Sequence, residues 1–251
     1  MGAVELTNLW LGAEGWIGPV IAAPFVGSFA GVLAMRLPGG RDVAWSRSAC
    51  DACGSPLGPL DLVPIISFVA LRGRCRHCAA PIGRAHLLVE LACTGIALWA
   101  ALTGERGALL WAGCVLGWTL LTLAWIDAVS FRLPDLLTLP LLLAGLIEAA
   151  LLEPDALAGR SLGAALGYSG FVLLAWGYRR LRGQDGLGAG DAKLLAAGGA
   201  WVGGLLLPEV LLGSALAGLA WALRHLRVDT QARLAFGPFL AAGIWLAWLY
   251  G

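Results

Sequence analysis

Long apolar stretches, separated by short joints of polar residues, glycine and proline, run through most of the chain. They fall at about residues 15–35, 87–104, 107–126, 136–152, 161–178, 193–207, 209–223 and 234–250. Several reach the roughly 17–25 residues that a helix needs to span the hydrocarbon core of a bilayer. No alternating barrel pattern is present, and within lipid a helix is the remaining backbone that satisfies its own hydrogen bonds. The pattern predicts an all-α polytopic membrane protein with about eight transmembrane helices. The sixth and seventh runs are short and meet at Pro208-Glu209. That junction admits two tight spans or one broken hairpin, and two spans are expected.

One long polar interruption, residues 36–86, stands apart. It holds Pro38, Pro56, Pro59, Pro64 and Pro81 with many glycines, so little regular helix is expected there. The organisation expected is an N-terminal transmembrane anchor (1–35), a soluble insert (36–86) and a multi-span core (87–251). The N-terminus carries Glu5 and Glu14 and no basic residue before Arg36. It lacks the positive start of a secretory signal, and the first run is expected to be a retained anchor.

Composition agrees with the hydropathy pattern. The chain of 251 residues is 59% hydrophobic and 13% charged, where soluble domains carry about 25% charged residues. Its 36 glycines suit helices that pack closely through small residues. The net charge of +1 conceals an asymmetry. Arg36, Arg41, Arg47, Arg72, Arg74, Arg76 and Arg84 lie between the first two runs. Arg132 follows the third; Arg179, Arg180, Arg182 and Lys193 surround the joint after the fifth; Arg224, Arg227 and Arg233 follow the seventh. Only Arg106 and Arg160 fall in the alternate loops, so eight crossings put 15 of the 17 basic residues on one face. The positive-inside rule makes that face cytoplasmic and leaves both termini outside.

Within the insert, Cys50-Asp-Ala-Cys53 and Cys75-Arg-His-Cys78 form two C-x2-C knuckles separated by 21 residues. Two such knuckles complete a tetrahedral four-sulfur shell suited to zinc, and an insert without a large core needs a staple of this kind. A pair of redox dithiols, as in quinone-coupled thiol oxidoreductases, is the competing reading. It conflicts with a cytoplasmic position, where thiols are kept reduced. His77 is an alternative ligand, whereas Cys93 and Cys114 lie inside apolar runs as packing residues.

Asp127 closes the third run and Asp191 opens the sixth, in Gly188-Ala189-Gly190-Asp191-Ala192-Lys193. Ionisable groups at the membrane edge are functional hypotheses by default. Two carboxyls brought together can share one proton and polarise a water for attack on an amide. The residues alone leave other readings open: Asp191 as a helix N-cap, Asp127 as a solvated helix exit and Asp135 as another cap. Gly186, Gly188 and Gly190 permit close approach of a substrate backbone and equally suit a flexible loop. A non-catalytic membrane scaffold is a further alternative.

Taken together, these segments resemble the bacterial type IV prepilin peptidases, the GxGD-type intramembrane aspartic proteases. The resemblance is carried by Gly27-Ser28-Phe29, Arg36-Leu37-Pro38, the two knuckles around Leu71-Arg72-Gly73-Arg74-Cys75, and Val89-Glu90. It continues through Asp127, Leu133-Pro134-Asp135, the Gly188–Lys193 segment and Phe236-Gly237-Pro238-Phe239-Leu240. Departures at Ala30-Gly31-Val32 and Gly83-Arg84-Ala85-His86-Leu87-Leu88 fall in the insert or at its junction. The resemblance implies a catalytic pair, Asp127 and Asp191, an active-site loop with Gly188 and Gly190, and zinc held by Cys50, Cys53, Cys75 and Cys78. It implies cleavage of prepilin or pseudopilin leaders at the cytoplasmic face of the bacterial inner membrane, with both termini periplasmic. It further implies N-methylation of the new terminus with S-adenosylmethionine, an activity to which the position of Gly73 is linked. The lipid bilayer and the pilin precursors are the expected partners, and no nucleic acid is expected.

Overall fold

The computed structural model describes residues 15–43, 48–183, 188–225 and 234–251. Glu5, Glu14, Arg47, Gly186, Arg227 and Arg233 lie outside the described residues. Each of the eight apolar runs is occupied by one helix: α1 (Ile17–Arg36), α3 (Arg84–Leu102), α4 (Gly107–Ser130), α5 (Asp135–Leu152), α6 (Leu157–Arg182), α7 (Ala189–Val202), α8 (Leu207–His225) and α9 (Gly237–Tyr250). A five-residue helix, α2 (Ile66–Ala70), and a 3-10 turn at Pro59–Leu62 lie in the insert. Among the described residues the β pairing consists of two isolated bridges.

Six of these helices are long and apolar enough to cross a membrane. α7 and α9 have 14 residues each, about 21 Å of helix against a core of roughly 30 Å. The sixth and seventh runs are separate helices, with Gly203 in a positive-φ conformation directly after α7. Pro208 falls in the first turn of α8, where its missing N–H costs nothing.

The chain divides into two compact units between Trp118 and Thr119, within α4. In the first unit α1 packs on α3 along small residues. Ala23, Gly27, Ala30 and Ala34 of α1 are buried, as are Val89, Cys93, Ala97 and Ala100 of α3. The backbones touch at the crossing: a Cβ added at Gly27 would lie 2.6 Å from the Cα of Glu90. The Trp118 indole N–H donates to the Cys93 carbonyl at 2.9 Å, fixing the first half of α4 on α3.

In the second unit α7 is the central helix. Ten of its residues are buried, the pattern of a helix enclosed on all sides rather than one with a solvent face. Small residues let its neighbours approach. A Cβ at Gly163 of α6 would lie 2.6 Å from the Gly199 carbonyl, and one at Gly167 would lie 2.7 Å from the Leu195 carbonyl. A Cβ at Gly145 of α5 would strike Trp201, whose indole N–H donates to the Leu141 carbonyl at 2.8 Å. Arg160 departs from its expected loop position. It lies in the first turn of α6, buried, paired with Glu148 and Glu153 and stacked 5.5 Å over Trp248. Its hydrocarbon stem and paired head explain how a buried cation is accommodated at the start of this helix.

Candidate functional site

The two knuckles of the insert fold alike. In the first, the Cys50 N–H donates to Ser55 O (2.9 Å) and the Gly54 N–H returns to Cys50 O (2.8 Å). In the second, the Cys75 N–H donates to Ala80 O (2.8 Å) and the Ala79 N–H returns to Cys75 O (3.0 Å). Isolated bridges Ala49–Pro56 and Arg74–Pro81 flank them at equivalent places. Gly54 and Ala79 hold the same left-handed position, at φ 70 and φ 56. The second knuckle therefore places a side chain where the first uses glycine.

This shared turn aims all four sulfurs at one point. They lie within 4.8 Å of one another, with Cys50 Sγ and Cys78 Sγ 3.8 Å apart. Tetrahedral zinc with Zn–S bonds of about 2.3 Å needs sulfurs about 3.8 Å apart, so the donor set fits a metal ion of that kind. The protonation of the cluster points the same way. The Ser55 hydroxyl and backbone N–H draw the Cys53 thiol down to about 6, and the N–H groups of Cys78 and His77 lower Cys75. The Ala80 N–H also lowers Cys78, but crowding by the sulfurs of Cys53, Cys75 and Cys50 pushes it up to about 12. Sulfurs crowded this closely cannot all ionise without a compensating cation, and a dication supplies it. His77 is exposed and lies outside the four-sulfur cluster. Arg76 braces the second knuckle by pairing with Asp61 at 2.8 Å.

Gly73 precedes the second knuckle at φ 67. A Cβ there would sit 2.9 Å from the ring of Phe68. Gly73 thus packs under an aromatic ring.

The two aspartates both belong to the second unit. Asp127 lies in the last turn and a half of α4, 6% exposed; Asp191 is the third residue of α7, 9% exposed. They are close enough for the charge of one to act on the other. Asp191 is not the N-cap of its helix. Gly188 holds that place with extended backbone, and its carbonyl accepts the Asp191 N–H at 3.1 Å. Each carboxyl is seated against a glycine. A Cβ at Gly188 would lie 2.8 Å from Asp191 Oδ2, and one at Gly237 would lie 2.6 Å from Asp127 Oδ2. The Gly237 N–H, at the start of α9, donates to Asp127 Oδ2 at 2.9 Å. Gly190 permits a different contact, since a Cβ there would lie 2.9 Å from Leu133 Cβ. Asp135 opens α5 and pairs with Lys193 at 2.6 Å, which ties the start of α5 to the start of α7.

The Bacterial Peptidase A24 N-terminal domain matches residues 21–103, and the Type IV leader peptidase family matches residues 114–223. A prepilin leader peptidase/N-methyltransferase of Burkholderia pseudomallei is 45% identical over 211 residues, covering 82% of this chain and 68% of the relative. The chain belongs to the type IV leader peptidase family. Proteins of the same name from Aeromonas hydrophila and Pseudomonas aeruginosa are 42% and 34% identical. They cover 82% and 92% of this chain, and 72% and 89% of their own lengths. No solved structure matches the chain at a significant level. Family and helices together make this leader peptidase homologue an integral membrane protein.

Sequence reasoning missed one contact at these two aspartates. Phe236-Gly237-Pro238 carried the resemblance, yet nothing in its residue types announced a bond to Asp127. The available signal was a glycine followed by proline at a helix start, which leaves an N–H free to face an anion.

Proposed function

We propose that the chain is a membrane aspartic endopeptidase that removes the leader of type IV prepilins or pseudopilins on the cytoplasmic side, and then N-methylates the new terminus. The observation that carries the peptidase reading is the placing of two buried carboxyls in one unit, Asp127 near the end of α4 and Asp191 at the start of α7, each against a glycine. A pilin precursor is an apolar helix behind a charged leader, so its scissile bond sits naturally at the membrane edge. Asp127 and Asp191 share one proton there. One carboxylate takes a proton from water as the water attacks the scissile carbonyl, and the protonated partner supplies the proton for the departing amine. Gly188 yields its side-chain space to the Asp191 carboxyl and Gly190 yields its own to Leu133, which seats the carboxyl at the start of α7.

The organisation proposed is an anchor at 1–35, a cytoplasmic insert at 36–86 and a peptidase core at 87–251. Eight crossings of the bacterial inner membrane leave both termini periplasmic. Residues Cys50, Cys53, Cys75 and Cys78 hold a structural zinc that fixes the insert. Methyl transfer from S-adenosylmethionine belongs to the insert, where Gly73 shapes the turn leading into the second knuckle.

The test is a purified, reconstituted protein given a prepilin-like membrane substrate whose leader ends in glycine. Mass spectrometry should show loss of the leader, and one added methyl group only when S-adenosylmethionine is present. An intact substrate would reject the peptidase reading, and cleavage without methyl addition would reject the second activity alone.

A further inference from the structure

The insert is tied to the membrane helices at a strained turn. Pro64, Ile65 and Ile66 form a γ-turn in which the Ile66 N–H donates back to Pro64 O. Its centre, Ile65, stands at φ 60, ψ −55. Positive-φ γ-turns are rare and strained, more so for a β-branched residue. Such a conformation persists only where its surroundings over-determine it. Here the carbonyls of Val63 and Ile65 accept from the N–H groups of Ser67 and Val69, both at 3.0 Å. The side-chain contact on the turn's centre is a carboxyl: the Ile65 N–H donates to Glu90 Oε2 at 2.7 Å.

Glu90 is 6% exposed and lies six residues into α3, about 9 Å along its axis. It is held at the α1–α3 crossing by the close approach of Gly27. From Ile65 the chain enters α2, whose Phe68 ring covers Gly73 and whose Phe68 carbonyl accepts the Gly73 N–H at 2.8 Å. Gly73 O in turn accepts the Ile82 N–H at 2.8 Å, closing the loop that carries Cys75 and Cys78. A continuous line of contacts therefore runs from the membrane crossing, through Glu90, to the second knuckle.

We propose that Glu90 is a positioning residue that anchors the α2 turn, and with it the Gly73 loop, to the α1–α3 crossing. Its effect on methyl transfer rests on the bifunctional reading above; its effect on the turn does not.

Hydrogen exchange on the full-length protein, read on peptides spanning residues 63–73, tests the anchor. Glu90→Ala should speed exchange there by roughly tenfold, as expected when a charge-assisted bond to a strained turn is lost. Glu90→Gln keeps an acceptor of the same reach and should restore most of the protection. Glu90→Asp, one methylene short, should behave like Glu90→Ala and serves if the alanine protein does not insert. Leader cleavage should persist in all three, while the methylated fraction of product falls with Ala or Asp and recovers with Gln. Unchanged exchange in Ala and Asp, or a Gln protein as loose as Ala, would overturn the anchor. Loosened exchange with undiminished methylation would overturn its positioning role. A wild-type protein that cleaves without methylating would instead remove the second activity, and exchange alone would still decide the anchor.

Discussion

Gly237 gives its backbone N–H to Asp127 at 2.9 Å, and its missing side chain is what lets the carboxyl sit there. The two residues are 110 positions apart, and the bond joins the start of α9 to the end of α4 within one unit. An N–H at a helix start is a preorganised donor for a carboxylate. It orients one member of the proposed pair and leaves its other oxygen for water or proton exchange.

Gly237→Ala puts this bond to a direct trial. The new Cβ would lie 2.6 Å from Asp127 Oδ2, so the carboxyl must move. Alanine suits the first turn of a helix, so insertion and helix content should be unchanged. A displacement of this size at a reacting group costs roughly hundredfold in rate. Cleavage kinetics on a prepilin-like substrate should therefore fall by about that factor, mainly in kcat, with circular dichroism unaltered.

The repeated knuckle predicts a gain. Ala79 occupies the left-handed position that Gly54 fills in the other knuckle, and relieving such a conformation is worth about 1 kcal/mol. Ala79→Gly should tighten metal binding by about fivefold on that basis. Competition with a chelator measures it, and an equal or weaker affinity would mean that the second turn is not strained.

Metal content checks the cysteine cluster. The purified chain should carry about one zinc, and cobalt substitution should give the absorption of a tetrathiolate site. Cys75→Ser, which removes the buried sulfur, should abolish stoichiometric binding and raise protease sensitivity within 48–83. A metal-free protein that forms disulfides between the knuckles would support the dithiol reading instead.

How much of this was legible in the residues follows from what kind of group makes each contact. The apolar runs located eight helices, six of them long enough to cross a bilayer, because a span in lipid must be both apolar and helical. Their ends moved where local chemistry outranked hydropathy. α6 continues through Arg179, Arg180 and Arg182 to Gly183, and α7 starts at Ala189, ahead of its apolar stretch, because Gly188 caps it. The cysteine cluster was readable because ligand type and spacing are diagnostic. Spacing alone left the meeting of Asp127 and Asp191 undecided, and it was resemblance that brought them together. The bonds from Gly237 to Asp127 and from Ile65 to Glu90 were invisible, because a backbone N–H is the same in every residue except proline. The Lys193–Asp135 pair was hidden for a different reason: it depends on the meeting of two helix starts, which no local pattern encodes.

The proposed catalytic pair faces its most direct trial in single-turnover cleavage of a full-length prepilin-like substrate by Asp127→Asn and Asp191→Asn proteins in the same lipid. Asparagine keeps the shape and can still accept the Gly237 N–H, so insertion and metal content should match wild type. The account predicts that each substitution lowers the cleavage rate by at least about a thousandfold, and that the double substitution is little worse than either alone, as for residues that act as a unit. Cleavage near the wild-type rate by either single variant would contradict it.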